Sequence, residues 1–171
     1  MAIDSQTVKA AGNAQAETVG YDGNKKTKGR KRHIAVDTLG LLIVLGVSAA
    51  SYADSPIGRQ VLDHLAHRTP SVTKAWADGG YNAKVVDHGA DLGIDVEVVR
   101  RDPDNPGFTV LPRRWVVERT FGWFMLHRRL TRDYETRQES SRAMIHWSII
   151  GIMGRALTGN STPTWQEPRF A

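Results

Sequence analysis

Hydrophobic residues along the chain form short runs typical of strands and longer spaced stripes typical of helices. Five segments are apolar or alternate between apolar and polar residues, and they predict strands over residues 2–8, 33–37, 41–47, 72–77 and 94–99. The second and third segments are separated by the turn residues 38–40, which predicts a hairpin with a buried second strand. Residues 10–23 are small and polar and predict a loop. The first strand is expected to be clipped, because few residues precede it.

Four segments carry apolar residues at helical spacing. They predict helices over residues 54–68, 83–92, 112–137 and 140–157. Asp54 and Ser55 are capping-type residues before Pro56, and Gly93 follows the second helix, as expected at helix ends. Residues 102–111 contain two prolines and predict a loop. The order of elements predicts an α/β fold, in which a mixed five-stranded sheet is flanked by helices and long helices follow at the C-terminus.

Length and composition limit the class of protein. A chain of 171 residues is the size of one ordinary domain, which we expect over residues 1–157, with residues 158–171 as a disordered tail. No cysteine is present, so disulfides and thiolate metal sites are excluded. The longest apolar run, residues 41–47, is far shorter than the roughly 20 residues that a membrane span needs. We therefore expect a cytoplasmic protein with no membrane partner.

The charge of the chain favours a polyanionic partner. Lys and Arg number 23 against 18 Asp and Glu, which gives a net charge of +5 and a pI near 9.7. One basic block includes Lys28, Arg30, Lys31 and Arg32, and a second includes Arg114, Arg128 and Arg129. These residues are the candidate contacts to nucleic-acid phosphates. Runs of this kind also occur as solvated faces or mobile tails. The charge alone indicates nucleic acid without establishing it.

Three acidic residues on separate predicted elements are candidates for a metal site. Asp4 lies on the first strand, Asp78 follows the fourth strand, and Glu118 lies on the third helix. Strand ends are where sheets of this class bind ligands, and Mg²⁺ prefers carboxylate oxygens and substrate phosphates. Taken alone, Asp4 could be an ordinary exposed residue, and Asp78 could simply form an Asx turn with the glycines after it.

Glu118 gives the most specific signal of the three. At about 100° per residue, it shares a narrow polar line with Arg114 and Arg129 on a helix that is otherwise mostly apolar. A carboxylate among apolar neighbours needs a partner, because an unpaired buried charge is costly. That partner is Arg114 one turn earlier, a metal ion, or both.

Four stretches of the sequence resemble a known family in their order and spacing. They are residues 3–9 (IDSQTVK), 28–37 (KGRKRHIAVD), 77–81 (ADGGY) and 111–121 (LPRRWVVERTF). Together they resemble the catalytic region of the insertion-sequence-five group of bacterial DDE transposases, over nearly the whole chain up to residue 157.

The resemblance implies a ribonuclease-H-like fold and a metal-dependent enzyme that cleaves and transfers DNA strands. Its catalytic and metal-binding acids would be Asp4, Asp78 and Glu118, with two Mg²⁺ ions that Mn²⁺ can replace. The family motif around the third acid is matched at Arg114, but its tyrosine position holds Leu111 and its basic position holds Met125. We expect Arg128 or Arg129 to replace that basic residue.

The resemblance also implies partners. They are DNA at the element ends and at the target, together with either a second copy of the chain in the active complex or a separate N-terminal DNA-binding part. Only three residues precede Asp4, so the chain is expected to be truncated and to associate with such a part. A bacterial, nucleoid-associated location follows. The alternatives are a ribonuclease-H-like nuclease without strand transfer, and an inactive DNA-binding remnant or regulator of an intact transposase.

Overall fold

A mixed sheet with helices on both faces forms the part of the chain that the structure describes. The structure is a computed structural model that describes residues 1–99 and 114–159. Its strands are β1 (Ala2–Lys9), β2 (Gly20–Asp22), β3 (Thr27–Val36), β4 (Leu42–Ala49), β5 (Lys74–Asp78) and β6 (Asp95–Val99). Its α-helices are α1 (Asp54–Arg68), α2 (Ala83–Asp91), α3 (Trp115–Met125) and α4 (Gln138–Leu157). Short 3₁₀ turns occupy Ala16–Thr18 and Arg128–Leu130.

The strand order places β1 at the centre of the sheet. The order is β2-β3-β1-β5-β6, and β4 also pairs with β3. The pairs β1–β3 and β3–β4 are antiparallel, whereas β1–β5 and β5–β6 are parallel. Parallel neighbours need long crossovers, which α1 and α2 provide. The five longer strands are the five predicted ones, and the α/β fold is confirmed as consistent with a ribonuclease-H-like architecture that ends in a long helix.

The alternation of side chains along the strands gives the sheet an apolar core on each face. On β3, Ile34 and Val36 pack in a cluster with residues of α3 and α4, while Ala35 belongs to a second cluster with residues of α1 and α2. Ala2 of β1 faces the first cluster and Ile3 the second. Asp4, two residues after Ala2, therefore lies on the face covered by α3.

The first three strands differ from the prediction. The expectation of a clipped first strand is wrong, because β1 has eight residues and pairs with β3 along its whole length. β3 begins at Thr27, so the first basic block lies inside a strand. The predicted loop over residues 10–23 contains β2, which pairs with the start of β3. Short strands such as β2 carry too few residues to show a hydrophobic period.

The predicted helix over residues 112–137 is wrong in its second half. α3 ends at Met125, and the chain then turns so that Asp133 pairs with the end of β1. The Asp133 N–H donates to the carbonyl of Lys9 at 2.9 Å, and the Asp133 carbonyl accepts from the N–H of Ala11 at 2.7 Å. These contacts with a distant strand replace the local helical bonds, so the predicted line of arginines along one helix does not form.

The remaining boundaries agree with the pattern within a few residues. Gly93 follows α2 with φ +74°, a conformation that favours glycine and stops a helix. The predicted loop over residues 102–111, and the predicted tail from residue 160 onward, lie outside the described residues. Within residues 1–99 and 114–159, no helix has the length and apolar character needed to cross a membrane.

Candidate functional site

Two neighbouring parallel strands bring Asp4 and Asp78 together. Ile3 of β1 is in register with Ala77 of β5, so the residues that follow them, Asp4 and Asp78, are adjacent. Ala77 is buried against α1 and α2, which leaves Asp78 on the opposite face, together with Asp4. Glu118 reaches the same place from the first turn of α3. The structure therefore collects all three predicted acids at one position.

The side chain of Arg114 lies between these acids. Its Nη2 is 3.5 Å from Asp4 Oδ2 and 3.5 Å from Glu118 Oε1, and its Nη1 is 3.4 Å from Asp78 Oδ1. Because Asp4 Oδ2 and Glu118 Oε1 both lie 3.5 Å from the same nitrogen, they are separated by at most twice 3.5 Å. The predicted pairing of Arg114 with Glu118 one turn later is confirmed. The contacts of Arg114 with Asp4 and Asp78 were not predicted.

The three acids differ in exposure and therefore in electrostatics. The side chain of Asp4 is 13% exposed, whereas those of Asp78 and Glu118 are 44% and 54% exposed. Burial raises the pKa of Asp4 to about 6, with smaller opposing effects from the Ser5 N–H, 2.7 Å away, and from Arg114. The charges of Asp78 and Glu118 raise the pKa of Asp4 further. Asp4 is therefore the floor of the site, and the other two acids form its open rim.

The turn after β5 fixes the position of Asp78. Asp78 Oδ1 accepts a short hydrogen bond from the N–H of the next residue, Gly79, rather than from the residue after it, as the Asx turn considered from the sequence would require. The turn is closed by the main chain, where the Tyr81 N–H donates to the Asp78 carbonyl at 3.0 Å. Tyr81 is buried and its ring packs against Gly58 of α1. Burial raises the pKa of Tyr81. The turn is also tied to α1 by Ser55 Oγ, which accepts from the Asn82 N–H at 3.1 Å.

A polar network beside the acids was missed by sequence analysis. Contrary to the prediction, Asp54 does not cap α1 with its side chain. Instead, its Oδ1 accepts from Ser5 Oγ at 2.6 Å and lies 3.2 Å from Lys31 Nζ. Lys31 also donates to the carbonyl of Tyr52 at 2.9 Å. The alternation of β1 carried the only signal, because it puts Ser5 on the face opposite Asp4.

The first basic block has an internal role. Arg30 and Arg32 are both 0% exposed and Lys31 is 6% exposed, so these three predicted DNA contacts cannot reach a phosphate on the surface. Arg32 Nη1 donates to the carbonyl of Leu130 at 2.9 Å, and burial lowers the pKa of Arg32 to about 10. Because β3 lies inside the sheet, its side chains are buried on both faces, and hydrogen bonds such as the one from Arg32 to Leu130 offset part of the cost of burying these charges.

Other predicted DNA contacts remain accessible. Lys28, Arg128 and Arg129 are exposed, and Arg114 is partly buried among the acids. Arg129 forms a surface ion pair with Glu135 at 2.8 Å. Arg128 and Arg129 lie in the 3₁₀ turn after α3 rather than on the helix of Glu118. They therefore do not continue the line of Arg114 and Glu118.

The donor chemistry of the site fits a hard divalent cation. Asp4, Asp78 and Glu118 supply carboxylate oxygens, and the two on the rim leave room for water and phosphate oxygens, the ligands Mg²⁺ prefers. In the described part of the chain, no three acidic or histidine side chains are already spaced to hold a metal ion. The acids are spaced around a guanidinium, and metal binding would require their side chains to close in.

Comparison with known proteins yields one family. A family model described as "Transposase DDE domain" matches residues 1–152, a range that includes all three acids and every strand of the sheet. No curated protein and no solved structure matches the chain.

Proposed function

The chain belongs to the Transposase DDE domain family, and on this premise we propose that it cleaves and transfers DNA strands with Asp4, Asp78 and Glu118 as its metal-binding acids. The observation that carries the proposal is the convergence of these carboxylates, from β1, β5 and α3, around one guanidinium. Carboxylates repel one another, so a cluster of three is stable only beside a cation. We further propose membership of the insertion-sequence-five group, on the four motifs.

The arrangement suits phosphoryl transfer. Asp4, Asp78 and Glu118 would hold two Mg²⁺ or Mn²⁺ ions. Such ions would supply activation of the attacking oxygen and stabilisation of the leaving oxygen. Asp4 would hold its position from the floor of the site, since its Oδ1 is fixed by the Ser5 N–H. Asp78 and Glu118, on the exposed rim, would admit the scissile phosphate between them. The hydrogen bond from the Gly79 N–H would keep Asp78 directed into the site.

DNA binding would use basic side chains that are exposed on the surface. We propose Lys28, Arg128 and Arg129 as phosphate contacts, with Arg114 next to the scissile phosphate. A net charge of +5 supports such binding, whose affinity would fall steeply with salt. A second copy of the chain, or a separate N-terminal part, would supply recognition of the element ends.

Metal-dependent nicking of supercoiled plasmid tests the catalytic proposal. Wild-type protein is incubated with Mg²⁺ or Mn²⁺ beside Asp78→Asn and Glu118→Gln, which keep the side-chain shapes and remove the charges. Asp91→Asn is the matched control, because Asp91 is an exposed carboxylate on α2, outside the site. We expect nicking by wild type and Asp91→Asn only. Equal nicking by Asp78→Asn would contradict the proposal.

Strand transfer separates the proposed function from its alternatives. A labelled oligonucleotide with a free 3′-hydroxyl is incubated with plasmid target and the metal. Joined products that depend on Glu118 support a transposase, whereas nicking without joining supports a ribonuclease-H-like nuclease. Salt-sensitive DNA binding with neither product supports an inactive remnant or a regulator.

A further inference from the structure

The guanidinium of Arg114 occupies the centre of the acid site. Its two terminal nitrogens contact Asp4 Oδ2, Asp78 Oδ1 and Glu118 Oε1, and its side chain is only 11% exposed. These carboxylate oxygens face inward, where a metal ion would need them. A guanidinium and a divalent cation repel each other strongly at such short range. The same oxygens cannot serve both at once.

The contacts of Arg114 are long for charge-assisted hydrogen bonds. They measure 3.4–3.5 Å, whereas strong pairs between a guanidinium and a carboxylate measure about 2.7–2.9 Å. Arg114 therefore balances the charge of three acids from a central position and forms no tight pair with one of them. Each of its contacts is weak enough to be exchanged.

The other buried guanidiniums are held differently. Arg30 donates to the carbonyls of Glu135 and Thr136 at 2.8 Å each, and Arg32 donates to the carbonyl of Leu130 at 2.9 Å. Within the described residues, Arg114 contacts the three acids and donates to no backbone carbonyl. Its Nε is buried without a hydrogen-bond partner, as are those of Arg30 and Arg32, so the difference lies in the contacts of the terminal nitrogens. The fold thus keeps Arg30 and Arg32 in place through the main chain, but it holds Arg114 only through the acids.

From this geometry we propose that Arg114 is an internal counter-ion that competes with divalent metal for Asp4, Asp78 and Glu118. The inference rests on the proposed function, because it takes these acids as the metal ligands. In the absence of metal, Arg114 neutralises the cluster and keeps the acids apart. When metal binds, the guanidinium leaves and the acids close around the ion. Arg114 thereby weakens metal binding and makes loading of the site a two-state exchange of cations.

Titration with Mn²⁺, followed by calorimetry and by the electron-paramagnetic signal of free Mn²⁺, tests the competition in the absence of DNA. Arg114→Gln removes the charge and keeps a polar, though shorter, side chain. Arg119→Gln is the matched control, because Arg119 lies on α3, which Arg114 directly precedes, but stacks on Trp115 and donates to the carbonyl of Leu39. We expect Arg114→Gln to lower the Kd for Mn²⁺ about tenfold or more, roughly the effect of one lost charge contact. The control should bind as wild type does.

Arg114→Lys tests the same exchange with the charge retained. A single ammonium cannot bridge three acids as a planar guanidinium does, so we expect a Kd between those of wild type and Arg114→Gln. Thermal unfolding without metal checks that each variant folds. It should also show a larger Mn²⁺-induced rise in Tm for Arg114→Gln than for wild type, because a tighter ligand stabilises the native state more.

The outcomes separate this inference from the proposed function. Acid-dependent Mn²⁺ binding, abolished by Asp78→Asn, with an equal or higher Kd in Arg114→Gln, would overturn the competition and leave the metal site intact. Binding that Asp78→Asn does not change, or no binding by any variant, would overturn the metal site and the competition with it.

Discussion

Arg30 Nη1 lies 3.3 Å from Asp133 Oδ2, and the two side chains are 0% and 1% exposed. The pair joins the middle of β3 to the segment between α3 and α4. Ser141 Oγ donates to the same Asp133 oxygen at 2.7 Å, and Arg30 Nη2 donates to Thr18 Oγ1 at 2.7 Å. This buried network holds the chain in its turn after α3 and places the start of α4 against the sheet.

Loss of the Asp133 carboxylate should destabilise the protein strongly. Asp133→Ala leaves the buried charge of Arg30 without its partner, which typically costs about 3–5 kcal/mol. Urea unfolding measures the loss. Arg129→Ala, which breaks the exposed Arg129–Glu135 pair, serves as the control and should cost less than about 1 kcal/mol. Similar losses in the two variants would argue against a structural role for the buried pair.

The same pair shows where sequence analysis fails. Apart from the start of β3 and the end of α3, strands and helices with local periodicity were predicted nearly to their ends, because side chains two, three or four positions apart reveal them. The burial of Arg30 was not predictable, since its partner Asp133 is 103 residues away and no local pattern connects them. For the same reason, the uniform helical pattern over residues 112–137 concealed the turn that Asp133 imposes.

The candidate site was predictable to a similar degree. The three acids were found from motifs, and the contact of Arg114 with Glu118 followed from helical spacing. The contacts of Arg114 with Asp4 and Asp78 depend on the register of β1 against β5, which the sequence does not show. The electrostatic centre of the site was therefore visible only in three dimensions.

Compared with wild type, Asp4→Asn should have a higher free energy of unfolding at neutral pH than it has at acid pH. The folded-state pKa of Asp4 is raised from 3.8 to about 6, mainly by burial. A carboxyl group whose pKa is raised by folding contributes most stability below its unfolded-state pKa. This contribution is lost as the pH rises through its folded-state pKa. The free energy of unfolding of the variant minus that of wild type should therefore increase by about 3 kcal/mol from pH 3.5 to pH 7, at about 1.4 kcal/mol per pKa unit.

Chemical denaturation with a chelator present, at several pH values, measures this difference. Asp91→Asn, which alters an exposed carboxylate, is the control and should show little pH dependence. A flat difference between Asp4→Asn and wild type would mean that burial does not disfavour the Asp4 carboxylate.

His33 should give a pH dependence of the opposite sign. Burial lowers the pKa of His33 from 6.5 to about 4, and its Nε2 lies 2.9 Å from Ser48 Oγ. The folded state therefore disfavours the proton, and stability is lost as the pH falls from 6.5 toward 4. Wild type should lose about 3 kcal/mol relative to His33→Asn over this window. His67→Asn, on the exposed side of α1, is the control and should follow wild type.

The effects of Asp4 and His33 oppose each other between about pH 4 and pH 6, so the profile of wild type alone would conceal both. The two single variants, each compared with wild type across the same pH series, separate them. A stability difference for His33→Asn that stays constant with pH would contradict the burial of a neutral imidazole.

Gly58 and Tyr81 should be coupled through the turn that follows Asp78. A Cβ on Gly58 would lie only 2.5 Å from Tyr81 Cε1, and Tyr81 is 4% exposed, so the ring cannot move aside freely. Gly58→Ala should cost about 1–3 kcal/mol, as overpacking of a core does. Tyr81→Leu alone should also destabilise the protein, since it removes ring atoms from a packed site.

In the double variant, the smaller side chain leaves room for the new methyl group. Its loss in a urea unfolding experiment should therefore be smaller than the two single losses combined, by at least about 0.5 kcal/mol. Gly122→Ala, whose Cβ would meet no atom within 4 Å, is the matched control and should show no coupling to Tyr81→Leu. Additive losses for Gly58 and Tyr81 would mean that the ring does not hold the turn against α1.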